Sequence, residues 1–301
     1  MKSSPIVLTR LGISLLLFVL FGCRKSNSDA QPSNFPIETS DRLQLYNPDG
    51  QTAQGAPFPL SPLTGCSNDP SYGDSIVYPQ PTAGQDDIVH PVNNPGPGKY
   101  LSWPAGMFID SLTGAIDLTA SEAGQKFAIG FVKAGTTDTC LSTVIIGGAS
   151  YMDSIYDISL GEETAYPYFD ADPNKASICG TLSNGSAGCS FDVTGSATNH
   201  KMSIDKTTGA IDLKKSLNGI FGAHPVNGQM ATITLYYQLY DASNMALLHL
   251  QVNIVYYDSR SAMNLGLVGK IKNKHAQEEA GQLISTGANP RPPLIIIVRH
   301  F

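Results

Sequence analysis

Two segments of this chain are nearly the same twelve-residue phrase. Residues 107–118 read MFIDSLTGAIDL and residues 202–213 read MSIDKTTGAIDL, identical at nine of twelve positions and 95 residues apart. Ile-Asp, two variable residues, Thr-Gly and then Ala-Ile-Asp-Leu describe two short strands around a four-residue loop. Asp110 and Asp205 can accept hydrogen bonds from backbone amides inside that loop. Gly114 and Gly209 can take the left-handed conformation that closes it. If Asp110 closes on Ala115, Ile109 faces Ile116 and Met107 faces Leu118. In the second copy Ile204 then faces Ile211 and Met202 faces Leu213. Each copy puts four apolar side chains on one face, as a half-buried sheet requires. The 95-residue offset is the length of a small β-sandwich domain.

The stretch downstream of each copy extends the pattern. After the first, Phe127, Ile129 and Phe131 alternate, a polar turn spans 134–139, and 140–146 reads as another strand. After the second, Ile233, Leu235, Tyr237 and Leu239 alternate, residues 241–244 turn, and 247–257 return. Each module therefore ends in a long hairpin. The second copy carries a longer connection, residues 214–230 against 119–126, with Phe221, His224 and Pro225 as its individual features. Composition agrees with short strands and many turns. The 29 Gly and 20 Pro make up about 16% of the 301 residues, against a usual value of roughly 12%. A helical bundle or coiled coil is excluded on that ground. The net charge of −6, without a Lys/Arg stripe, argues against a nucleic-acid partner.

The amino-terminal region is an address. Lys2 and Arg10 precede an unbroken apolar run over 11–21, too short to span a bilayer and of signal-peptide length. It ends in Leu20-Phe21-Gly22-Cys23, and here the chain resembles a bacterial lipoprotein precursor. The resemblance implies that residues 1–22 are a signal peptide, that Cys23 is the lipid-attachment residue, and that the protein meets the membrane through that lipid. Two or more acyl chains anchor stably without a spanning helix. Removing Lys2 and Arg10 leaves 17 basic against 25 acidic side chains, a mature charge of −8, unsuited to clinging to anionic lipid. Arg24 after the Cys, rather than Asp, favours the outer membrane by the same resemblance. Phe21 is bulkier than the usual residue at that position.

The paired Ile-Asp-x-x-Thr-Gly-x-Ile hairpins resemble those of tandem immunoglobulin-like or cadherin-like domains in bacterial cell-surface proteins, and with the lipobox the chain resembles a Bacteroidota-type surface lipoprotein. The expected fold class is all-β: two tandem immunoglobulin-like or cadherin-like β-sandwich domains after the signal peptide. Residues 23–60 are a flexible tether, 61–152 the first sandwich, 153–258 the second, and 259–301 a C-terminal extension with a helix and a strand. That strand, LIIIV at 294–298, must be paired within the fold, against a partner, or as a donated strand, because left exposed it is an aggregation hazard. The junction over 150–163 lacks the calcium-binding linker motif of cadherins.

Chemistry is sparse. With Cys23 lipidated, Cys66, Cys140, Cys179 and Cys189 remain, an even number that points to two disulfides in an exported chain. Of the three connectivities, Cys179–Cys189 with Cys66–Cys140 is preferred over the other two, and free buried thiols are the alternative. No C-x-x-C, H-E-x-x-H, G-x-S-x-G or phosphate-binding loop occurs, so no catalytic residue, metal or cofactor is assigned. Asp170-x-Asp172-x-Asn174 mimics half a calcium loop, but Lys175 and Thr181 stand where Gly and Glu are needed, and a solvated loop is the better reading. His249 reads as structural. Tyr166, Tyr168 and Phe169 could stack on sugar rings or anchor a protein, though packing is the better reading for each. The expected role is non-enzymatic: a lipid-anchored, surface-exposed protein of the cell outer membrane that binds a protein or glycan ligand or acts as a spacer. A fimbrial-type subunit assembling by strand exchange is the alternative, and an envelope hydrolase a more distant one.

Overall fold

The computed structural model describes residues 69–81, 85–103, 106–136, 139–183, 185–280 and 293–299. Cys23, Cys66, the signal peptide and the tether lie outside the described residues. The described residues belong to one unit of the chain, Pro32–Phe301.

The first module contains β1 (Ile76–Val77), β2 (Ile88–Val89), β3 (Gly98–Trp103), β4 (Phe108–Ile109), β5 (Ile116–Asp117), β6 (Gln125–Lys133) and β7 (Thr139–Ile146). Its larger sheet has the order β1-β7-β6-β3, and its smaller sheet β2-β5-β4. Phe127, Ile129, Phe131, Val144 and Ile146 from the first pack against Met107, Ile116 and Leu118 from the second. Two sheets facing each other across one apolar layer make a β-sandwich.

The second module starts with β8 (Ala149–Tyr151), β9 (Ser154–Asp157), β10 (Thr164–Ala165), β11 (Pro167–Phe169) and β12 (Cys189–Phe191). There follow α1 (Ser196–Asn199), β13 (Ser203–Ile204), β14 (Ile211–Asp212), α2 (Leu213–Phe221), β15 (Met230–Leu239), β16 (Leu248–Tyr257), α3 (Leu265–Glu279) and β17 (Leu294–Val298). The larger sheet runs β12-β15-β16-β17-β9 and the smaller one β10-β14-β13. Ile233, Leu235, Tyr237 and Leu239 meet Ile211, Leu213, Leu217 and Phe221 in its core.

The two modules share a plan. In both, the repeat hairpin (β4–β5 and β13–β14) forms two strands of the smaller sheet, and an earlier strand pairs antiparallel with its second strand. In both, the terminal long hairpin forms the centre of the larger sheet. The second module adds a two-stranded β11–β8 sheet, and the larger sheets differ at one slot. In the first, β1 pairs directly and in parallel with β7. In the second, β17 stands between the corresponding strands, parallel to β16 and to β9. The C-terminal strand is thus built into this chain's own sheet, and its helix lies over the sheet's other face. Met263, Leu267 and Ile271 pack there against Val255, Tyr257, Leu294, Ile296 and Val298. Among the described residues, α3 and β17 are part of the second sandwich rather than an appendage to it.

The 214–230 connection departs from the loop expected of it. Its first half is helix α2, capped by Asp212, whose Oδ1 accepts from the Lys215 amide at 2.8 Å. Leu213, Leu217 and Phe221 fall on one face and are buried, so the apolar residues of this stretch serve the core.

Candidate functional site

Three places carry the polar organisation of the molecule: the repeat turns, the seam between the modules, and the far end of the second module.

The turns are built alike. Asp110 N–H donates to the Ala115 carbonyl at 2.8 Å, and Asp205 N–H to the Ala210 carbonyl at 2.8 Å. Asp110 Oδ1 accepts from the Leu112 and Thr113 amides at 2.9 and 2.7 Å. Asp205 Oδ1 accepts from the Thr207 and Thr208 amides at 2.8 and 3.0 Å, and from the Thr207 hydroxyl. These bonds stabilise the ionised form, chiefly those from Thr113 and Leu112 for Asp110 and those from Thr207 for Asp205, and both carboxyls titrate below the usual range. Gly114 and Gly209 have φ of +71° and +75°. Each lies flat on a ring: a Cβ on Gly114 would sit 2.6 Å from Tyr100, and one on Gly209 2.6 Å from Phe191.

Partners that the repeat does not announce complete the scheme. The Tyr72 hydroxyl donates to the Gly114 carbonyl at 2.6 Å, and the Tyr151 hydroxyl to the Gly209 carbonyl at 2.5 Å. Ser121 Oγ accepts from Phe108 N–H and donates to the Asp117 carbonyl. Ser216 does the same for Ser203 and Asp212. The two serines follow their hairpins at the same interval and could have been found by extending the alignment. The two tyrosines stand at different distances from their turns, and no spacing rule points to them. All of these bonds tie the hairpins to their own modules.

The seam is short. β7 ends at Ile146 and β8 begins at Ala149, leaving Gly147 and Gly148 between the modules. Gly147 lies against Tyr78, where a Cβ would come within 2.4 Å of the ring. Gly148 N–H donates to Asp170 Oδ1 at 2.9 Å, and Asp170 N–H returns a bond to the Gly148 carbonyl at 2.8 Å. The other Asp170 oxygen accepts from the Tyr78 hydroxyl of the first module at 3.0 Å and pairs with Lys175 at 2.5 Å. The Tyr237 hydroxyl bridges the amide and carbonyl of Ala149. Gln125 donates to the Ser150 hydroxyl and Gln80 to the Ala242 carbonyl, both across the seam. Burial and the neighbouring Asp170 push the Tyr78 phenol well up, so it remains a donor at any physiological pH.

Asp170 departs from the solvated-loop reading of 170–174, whereas Asp172 and Asn174 are exposed as that reading expects. Asp170 is buried, with a left-handed backbone at φ of +52°, and it faces the other module. Tyr168 and Phe169 are also buried, whereas Tyr166 is exposed. His249 lines a shallow crevice along the seam with Pro79, Pro81, Leu118, Thr119 and Leu247. Burial lowers its pKa, so the ring is neutral there. No carboxylate shares that crevice. Among the described residues, no three metal-ligating side chains converge.

Cys179 and Cys189 form a disulfide with Cα atoms 4.9 Å apart, closing the loop before β12. Cys140 is also in a disulfide; Cys66, its partner in the preferred connectivity, lies outside the described residues.

The far end is set by the β15–β16 hairpin. Its turn carries Ala242, which meets Gln80 of the first module, so the loop at the opposite end of these strands, residues 222–229, points away from that module. His224, Val226 and Asn227 are exposed there. The loop is held by Gly228 N–H on the Tyr256 carbonyl and by Asn227 Oδ1 accepting from the Asp258 amide.

No family model matches the chain, and no curated protein matches it. Among solved structures, the chain is similar to human protocadherin-24 EC1-2, at 11% identity and a TM-score of 0.21, over 60% of this chain and 91% of that one. A second crystal form of the same fragment is similar at 9% identity and a TM-score of 0.20, over 61% and 95%. The assignment of two tandem β-sandwiches rests on the sheet orders and the two cores.

Proposed function

We propose that this is a non-enzymatic, lipid-anchored protein of the bacterial cell envelope, whose two modules act as a stiff spacer that holds a binding loop away from the membrane. The observation that carries the reading is the seam. Two residues and a buried carboxylate join the sandwiches where a flexible display protein would have a linker. The lipobox at Cys23 precedes the first module in the chain, and the 222–229 loop lies at the end of the second module away from the first. That geometry suits recognition of a protein or a glycan at a fixed height.

Protease treatment of intact cells, with a Cys23→Ala strain as control, tests the reading. Digestion of the modules in unbroken wild-type cells, and their loss from the membrane fraction in the variant, is the expected result. Protection until lysis would place the protein in the periplasm and remove the adhesive role. Membrane retention of Cys23→Ala would remove the lipid anchor.

A further inference from the structure

Where α3 meets the start of β9, three ionisable side chains are removed from water together. Lys274, Asp153 and Glu278 are 2%, 2% and 5% exposed. Lys274 Nζ is 2.7 Å from Asp153 Oδ2 and 4.0 Å from Glu278 Oε1. Asp153 Oδ1 accepts from the Leu294 amide at 2.9 Å, and Glu278 Oε2 accepts from the Asp153 amide at 2.9 Å. His275 Nδ1 lies 2.7 Å from the Asp153 carbonyl and fixes that backbone from the same helix. Apolar neighbours, Ile271 and Leu294 among them, fill the surroundings.

The geometry points to a covalent amide between Lys274 and Asp153, formed by the protein itself. Two carboxylates and one ammonium buried together carry a net negative charge that a low-dielectric site opposes, and transfer of the ammonium proton to a carboxylate leaves a neutral amine beside a neutral acid. The Lys274 amine is then a nucleophile at contact distance from the Asp153 carboxyl carbon. The Leu294 N–H, already on Oδ1, stabilises the oxygen on which negative charge develops during attack. Glu278 takes the proton that leaves Nζ and delivers it to the departing hydroxyl. The Nζ–Cγ bond forms, the Cγ–Oδ2 bond breaks, and one water leaves, with no oxidant or cofactor. Glu278 is not itself the acceptor: its Oε1 is 4.0 Å from Nζ, against 2.7 Å for Asp153 Oδ2. The result would be a covalent tie from the start of β9 to α3, enclosing nearly the whole second module.

Peptide mapping of the purified full chain, reduced and alkylated to open the disulfides, decides the matter. Trypsin cleaves after Lys133, Lys175, Lys272 and Arg299, and Pro292 protects the bond after Arg291. The expected species joins residues 134–175 to residues 273–299, uncut at Lys274, at the sum of the two masses less about 18 Da for one water. Asp153→Asn is expected to give the same linked product, because ammonia then leaves in place of water. Glu278→Gln is expected to fold, as judged by an unchanged far-ultraviolet circular dichroism spectrum, and to lose at least tenfold in linked product. Quantitative release of residues 275–299 from the wild-type chain would overturn the proposal and leave an ordinary ion pair. A link to Glu278, or full linkage in a folded Glu278→Gln protein, would overturn the assignment of roles.

Discussion

At the scale of the residue, the turn glycines are where a small change has a separable cost. Gly209→Ala meets two penalties, a left-handed backbone and a methyl 2.6 Å from the Phe191 ring. Gly161, with φ of +85° and nothing within 4 Å of its missing Cβ, meets only the first. Gly161→Ala should therefore cost about 1 kcal/mol. Gly209→Ala should cost about 2–4 kcal/mol, the excess being overpacking. Urea midpoints of the two variants measure the difference directly. The turn carboxylates make a pH prediction. Their folded pKa values are depressed, so their contribution is fully present above the unfolded value, near 3.9, and is lost as pH falls through and below it. The double variant Asp110→Asn, Asp205→Asn should flatten the acid limb of a stability–pH curve by lowering its neutral-pH plateau and converging with the parent in acid, the loss being small because both groups face solvent. Asp110, Gly114 and their counterparts were legible from the sequence because a turn is a local object whose hydrogen bonds close within five residues. Tyr72 and Tyr151 were not, because a hydroxyl reaching across 42 or 58 residues leaves no spacing to read.

At the scale of the element, β17 shows what pattern reading can and cannot give. LIIIV lacks alternation because Ile295 and Ile297 face one core while Ile296 and Val298 face another. A strand buried on both faces reads as a continuous apolar run, and the run says nothing about its neighbours. Its partners, β9 and β16, come from opposite ends of the module, so only the assembled sheet reveals the slot. Ile296→Ala should destabilise the protein by about 2–5 kcal/mol. Leu160→Ala, at an exposed site, should remain within about 0.5 kcal/mol of the parent. Chemical denaturation of both checks the pair. The long hairpins β6–β7 and β15–β16 were legible because each alternates and its partner comes next in the chain. Helix α2 was hidden inside a connection where Phe221 stands out beside His224 and Pro225 as a loop feature, and its place with Leu217 in a buried stripe shows only in the assembled core.

At the scale of the whole molecule, the two sandwiches should unfold as one cooperative unit. Asp170→Ala leaves the Gly148 amide and the Tyr78 hydroxyl without their carboxylate acceptor at the seam, a loss of about 1–3 kcal/mol for each group that stays dry. Differential scanning calorimetry should show a single transition for the parent and two for the variant; one unshifted transition in both would mean that the seam does not couple the modules. The two-module organisation was legible from a repeat of twelve residues, because a twice-used hairpin implies a twice-used core. The seam was not, since Tyr78, Asp170 and Lys175 are ordinary residues until two cores bring them together.

The parallel pairing of terminal strands has a mechanical meaning. In the first module, the early strand β1 lies parallel to the last strand β7; in the second, β9 lies parallel to the last strand β17. Tension applied through the chain pulls the leading end of one strand and the trailing end of its neighbour, and in a parallel pair those ends point in opposite directions. The hydrogen bonds between them are then loaded together, in shear, instead of being peeled apart one at a time. A chain pulled between the start of β1 and the end of β17 would meet that load with two such clamps in series.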